Sequence, residues 1–150
     1  MIKKQFTLYL ANKPGELAKT TRLLADEDIN IDAISVSASA DVGLVQLVPG
    51  NARAVSRLLS EENIPFTTQD VVVVALPNRV GALNDLMEKM ARLKVNVSYV
   101  YGTGSSCGVD GDTLVVISAP DLEKLQAVLD KGAAKKPVTR KRAATSTRKR

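Results

Sequence analysis

Leu10-Ala11-Asn12-Lys13-Pro14-Gly15-Glu16-Leu17 and, 66 residues later, Leu76-Pro77-Asn78-Arg79-Val80-Gly81-Ala82-Leu83 are two versions of one phrase. Ile29-Asn30-Ile31 returns at the same offset as Val95-Asn96-Val97, and Leu44-Val45-Gln46-Leu47 returns as Leu114-Val115-Val116-Ile117 at an offset of 70. Self-similarity at this period marks two copies of one supersecondary unit, so the fold is read as a pair. The four extra residues of the second copy fall within Gly102 to Asp112, whose glycines and serines predict a loop.

Working outward, Phe6, Leu8 and Leu10 alternate with Thr7 and Tyr9, the period of a half-buried strand, which stops at Asn12-Lys13-Pro14-Gly15. Leu17, Thr21, Leu24 and Ala25 then share one face of a helix ending near Asp28. Ile29 to Ala38 predicts a second strand, Asp41-Val42-Gly43 a hairpin turn and Leu44 to Val48 a third strand. Asn51 is placed to cap a helix carrying Val55, Leu58 and Leu59, and Phe66 to Gln69 resumes extended structure. In the second copy Val71 to Leu76 is a strand whose unbroken apolar character predicts a central place in a sheet. Leu83, Leu86, Met87, Met90 and Ala91 form the next helical stripe, followed by strands over Val95 to Tyr101 and Thr113 to Ser118 and a helix carrying Leu122, Leu125, Val128 and Leu129. The last strand would fall on Lys136-Pro137-Val138, where proline cannot donate to a ladder, so it is expected to be short or absent. The expected organisation is α+β: two βαββαβ modules over residues 1–69 and 70–131, then a disordered basic tail over residues 132–150.

With 45% hydrophobic residues but only two Phe, three Tyr and no Trp, the core has to be built from Val, Leu, Ile and Ala. Cys107 is the only cysteine, which excludes an internal disulfide and a multi-cysteine zinc site and points to a reducing, cytoplasmic setting. The longest apolar run, Val71 to Leu76, is far short of the roughly 20 residues that span a bilayer, so no membrane association is expected. The net charge of +5 is a difference between two unlike parts. Residues 1–130 hold 12 Lys and Arg against 16 Asp and Glu, a net of −4, whereas residues 131–150 hold nine basic residues and no acid, a net of +9. Arg140, Lys141, Arg142, Arg148, Lys149 and Arg150 are the densest basic clusters and would attract nucleic acid nonspecifically, with no aromatic residue among them to stack on bases.

The chain has no histidine, and its carboxylates mostly fall on polar helix faces, so a non-enzymatic role is expected and no cofactor or metal site is indicated. Gly102 to Asp112 lacks the Gly-Lys-Ser/Thr ending of a phosphate-binding loop and is not followed by a helix. Each strand-to-helix turn, in contrast, combines a glycine with the free amide hydrogens of a helix start, an arrangement that accepts a carboxylate such as that of an amino acid. The competing reading is that the glycines and asparagines serve only the turn.

Two such units, each with an Asn-basic-x-Gly-x-Leu turn and an Ile-Asn-Ile-like entry to its second strand, resemble tandem ACT domains over about residues 3–131. These are small-molecule-binding modules attached to amino-acid biosynthetic enzymes such as phosphoglycerate dehydrogenase and aspartokinase, and also found as free-standing pairs. The resemblance implies ferredoxin-like modules with antiparallel sheets and helices on one face, and an amino acid held between the first turn of one copy and the second-strand start of another, with a homodimer as one way to pair them. It nominates Asn12, Lys13, Gly15, Glu16 and Leu17 with Asn30 and Ile31, and Asn78, Arg79, Gly81, Ala82 and Leu83 with Asn96 and Val97. Val80 departs from the pattern, standing where the first turn has Pro14. Two functions follow as expectations: an amino-acid-binding regulator or, as the alternative, a nucleic-acid-associated protein that uses its basic tail.

Overall fold

The alternation around Phe6 becomes β1 (Ile2–Ala11) in the computed structural model, which describes residues 1–104 and 112–133. The first repeat continues through α1 (Glu16–Asp26), β2 (Ile31–Ser39), β3 (Val42–Pro49) and α2 (Ala52–Glu61) to β4 (Phe66–Pro77). The second repeat adds α3 (Ala82–Arg92), β5 (Tyr99–Gly104), β6 (Asp112–Ser118) and α4 (Leu122–Ala133). The strands form one antiparallel sheet in the order β2-β3-β1-β4-β6-β5. In the first repeat this is the β4-β1-β3-β2 order of a ferredoxin-like unit; the second supplies β4-β6-β5.

The two strands expected at Phe66 to Gln69 and Val71 to Leu76 are one. β4 runs through the expected boundary between residues 69 and 70, pairing with β1 through Val72 and with β6 from Val72 onward. Its central position accounts for the apolar run, because Val71, Val72 and Val73 are buried on both faces of the sheet. The helix α4 runs to Ala133, two residues into the tail expected from residue 132; the final strand expected at Lys136-Pro137-Val138 and the rest of the basic tail lie outside the described residues, as does Cys107.

Alternate residues of each strand feed different cores. Phe6, Leu8, Leu10, Val45 and Leu47 pack against α1 and α2 through Leu24, Val55 and Leu59. Val72, Val115 and Ile117 meet α3 and α4 through Leu86, Met90 and Leu125. The helix-free face is also buried: Ala33, Val48, Val71, Val73 and Val116 pack with Tyr99 and Tyr101. That burial arises because the sheet curls until β2 and β5, its two edges, touch. On a flat sheet three strand spacings would hold β5 about 14 Å from β1, yet the Gln5 amide donates to the Tyr99 hydroxyl at 2.6 Å and accepts from the Tyr101 hydroxyl at 3.0 Å. Gln69 also donates to Tyr99. Gln5 is fully buried and both ends of its amide are satisfied, as burial of a polar group requires.

Several boundaries differ from the sequence expectation. The hairpin turns at Ala40 and Asp41, with Ala40 at φ 49°, so Val42 and Gly43 already belong to β3. Val95 to Ser98 is not strand; Val95 is drawn into the core under α3, and pairing begins at Tyr99. Gly102 to Gly104, read as loop, are paired with Thr113 to Val115. On α1 the buried positions are Thr20 and Leu24, and Leu17 is exposed, because the Thr20 hydroxyl donates to the Glu16 carbonyl and can be buried satisfied. On α3 the buried stripe is Ala82, Leu86 and Met90, which leaves Leu83 and Ala91 exposed. Asn51 caps α2 as expected, its side chain accepting from the Ala54 amide.

Candidate functional site

The two turns are built alike. Gly15 and Gly81 immediately precede their helices with φ of 94° and 86°, a region open to glycine at no steric cost. Lys13 N–H donates to the Ala11 carbonyl and Glu16 N–H to the Lys13 carbonyl; Arg79 to Pro77 and Ala82 to Arg79 repeat the pattern. Neither helix start has a side-chain cap, so the amides after Glu16 and Ala82 are left to solvent or a ligand. Asn12 bonds the Ala40 carbonyl through its side chain, which ties the first turn to the β2–β3 hairpin. Glu16 pairs with Lys19, and Arg79 folds back over its own turn to the Val80 carbonyl and the Asp85 carboxylate. Val80 is fully exposed.

A cavity of about 250 Å³ opens beside the second turn. Asn78, Arg79, Ala82 and Leu83 form its turn and helix side, and Leu76, Pro77, Val100, Tyr101, Gly102, Thr113 and Val115 its sheet side. Four of the residues nominated by sequence are therefore brought together, while Gly81 shapes the turn without lining the space. The sheet residues were not nominated. The signal that could have found them is the strand register, which sets Gly102 opposite Val115 and Val100 opposite Ile117 on the helix-bearing face.

Asn30, Ile31, Asn96 and Val97 stand elsewhere. The Asn30 carbonyl accepts from Gly50 N–H at the β3–α2 end of the first repeat, and its side chain donates to Asp32, which also pairs with Lys3 at 2.6 Å. Ile31 packs into the core. Asn12 lies at the other end of the eight-residue β3, about 24 Å away at strand rise. Asn96 is exposed and Val97 packs beneath α3 and α4, again away from the turn of its own repeat. Arg140, Lys141, Arg142, Arg148, Lys149 and Arg150 lie outside the described residues. No helix among the described residues is long and apolar enough to cross a membrane.

Residues 1–131 match the family of the ACT domain pair. The solved structure of protein BT0572 from Bacteroides thetaiotaomicron is 27% identical, with a TM-score of 0.80 over 88% of this chain and 89% of that one. The regulatory subunit of aspartate kinase from Thermus thermophilus, in its ligand-free form, is 14% identical with a TM-score of 0.60, covering 87% of this chain and 93% of that one. A putative C-terminal regulatory domain of aspartate kinase from Porphyromonas gingivalis is 15% identical with a TM-score of 0.53, covering 90% and 96%. At those identities the two aspartate kinase structures share the fold. No curated protein matches the chain.

Proposed function

Because the chain belongs to the ACT domain pair family, we propose that it is a non-enzymatic regulatory protein that binds an amino acid, its repeats taken as residues 1–69 and 70–131 with β4 in common. The observation that carries this reading is the cavity beside the uncapped start of α3, where Asn78, Arg79, Ala82 and Leu83 converge. An α-carboxylate placed at the helix start meets free amide hydrogens and the positive end of the helix dipole, while the side chain enters the apolar space between α3 and the sheet. Lys13, Gly15, Glu16 and Leu17 present the related surface in the first repeat. Asn30, Ile31, Asn96 and Val97 sit too far from their own turns to join the same site within a repeat, so we assign them to the contact with a second copy of the chain in a homodimer. Ligand at that contact would shift the balance between two arrangements of the dimer, provided its affinity for them differs.

A thermal-shift screen of the twenty amino acids tests this directly. A true ligand at 100 times its dissociation constant stabilises the folded state by about 2.7 kcal/mol, a shift of several degrees. Gly81→Asp places a negative charge and a β-carbon at the α3 start and is expected to abolish the response. A flat screen, together with nucleic-acid binding that disappears on deleting residues 132–150, would instead favour the role based on the eight basic residues of that segment.

A further inference from the structure

The pocket beside α3 has a counterpart position in the first repeat, where Ala11, Glu16, Val36 and Gly43 stand for Pro77, Ala82, Gly102 and Thr113; the exchange at Gly102 removes a whole branched side chain from the sheet side. Val36 pairs with Val45 in the β2–β3 ladder, and Gly102 pairs with Val115 in the β5–β6 ladder. Val45 and Val115 are the same position of the repeat, 70 residues apart. One step back the correspondence holds again, with Ile34 on Leu47 and Val100 on Ile117. Gly102 is therefore the equivalent of Val36: where the second repeat has a hydrogen on the helix-bearing face, the first has an isopropyl group, 51% exposed. Gly102 lines the cavity, and a β-carbon built on it would point toward the Thr113 methyl at 3.8 Å, which lines the same cavity. The glycine is not needed for the backbone. Its φ is not in the positive region that Gly15 and Gly81 occupy, and 3.8 Å is an ordinary contact, so the strand would accept a side chain there.

The remaining walls define what fits. Leu76, Pro77, Ala82, Leu83, Val100 and Val115 are apolar; Asn78 and Arg79 bring polar groups on the turn side, Thr113 brings one hydroxyl on the sheet side, and the Tyr101 hydroxyl is taken up by Gln5. At roughly 30 Å³ per water-sized group, 250 Å³ holds about eight non-hydrogen atoms, the size of one free amino acid. It is below the roughly 300 to 1,000 Å³ common for larger ligands. We propose that Gly102 is the specificity-determining residue of this chain: its missing side chain admits an aliphatic amino acid to the second repeat, and Val36 denies the same space in the first. This rests on the reading of the chain as an amino-acid receptor.

The test uses the full chain with valine, leucine, isoleucine, methionine, aspartate and lysine as probes, followed by thermal shift and isothermal titration calorimetry. The wild-type chain is expected to respond to the aliphatic set and not to aspartate or lysine. Gly102→Val is expected to melt without ligand within a few degrees of wild type and to bind the aliphatic probes at least tenfold more weakly. Gly102→Ala, which adds one carbon, keeps valine binding and weakens leucine and methionine; it carries the test if the valine variant folds poorly. Aliphatic binding that is unchanged in both variants, or a response led by aspartate or lysine, overturns the inference while leaving an amino-acid receptor standing. No response of the wild-type chain to any amino acid would remove that underlying reading as well.

Discussion

Gln5 and Tyr101 make one of the polar contacts that join the strands across the curled sheet. The Tyr101 hydroxyl reaches from β5 to the Gln5 carbonyl on β1, and burial, with a smaller contribution from neighbouring Tyr99, raises its pKa well above the ordinary tyrosine value. The folded protein therefore keeps this proton more tightly than the unfolded chain, whose tyrosines titrate near 10. The contribution is fully present below about pH 10 and is lost as pH climbs beyond it. Urea titrations at pH 8, 10 and 11 are expected to show a steeper alkaline loss of stability for wild type than for Tyr101→Phe. At pH 8 the variant is expected to be less stable by about 1 to 2 kcal/mol, because the Gln5 oxygen is left buried without its donor. Equal alkaline slopes would mean that Tyr101 titrates as if exposed. Gly15 makes the opposite kind of contribution. A β-carbon there meets nothing within 4 Å, so Gly15→Ala is expected to cost about 1 kcal/mol through its φ of 94° alone, and Gly81→Ala about the same. A matched pair of denaturation curves checks this.

Among the helices, α2 and α4 have starts closed by their own sequence, Asn51 accepting from the Ala54 amide and Asp121 from the Lys124 amide. Asn51→Ala removes the acceptor of the Ala54 amide and is expected to lower stability by about 1 kcal/mol in urea denaturation. That cap was legible because an asparagine after Pro49-Gly50 has a local purpose, and so was the repeat, which placed the four helices and the order of strands. The turn half of the site was legible for the same reason: Asn78, Arg79, Ala82 and Leu83 are contiguous and copied. Its sheet half was not, since Val100, Gly102, Thr113 and Val115 meet the turn through register, a long-range property that no local pattern carries. Helix faces were misread where polarity misleads. Thr20 hides its hydroxyl on the Glu16 carbonyl and goes inside, while Leu17 and Leu83 stay exposed beside the turns.

At the scale of the whole molecule, the two repeats are fused through β4. Val72 is paired on one side with Ile2 and on the other with Ile117, and the adjacent Val73 exchanges backbone hydrogen bonds with Met1. A strand shared in this way makes each repeat an edge-cover for the other, and the Gln5–Tyr99–Tyr101 contact joins them a second time across the curl. Folding should accordingly be cooperative across the whole pair rather than repeat by repeat. Tyr9 reports on the first repeat and Tyr99 and Tyr101 on the second. With Tyr99 and Tyr101 replaced by Phe in one variant and Tyr9 in another, the remaining tyrosine fluorescence and far-ultraviolet dichroism are expected to follow a single urea transition in each. Val72→Ala, at a position with no exposure, is expected to lower stability by about 2 kcal/mol and to move both tyrosine signals by the same amount. Two separated transitions, or a Val72→Ala effect confined to one signal, would show that the repeats are independent and that ligand binding in one cannot be relayed through β4 to the other.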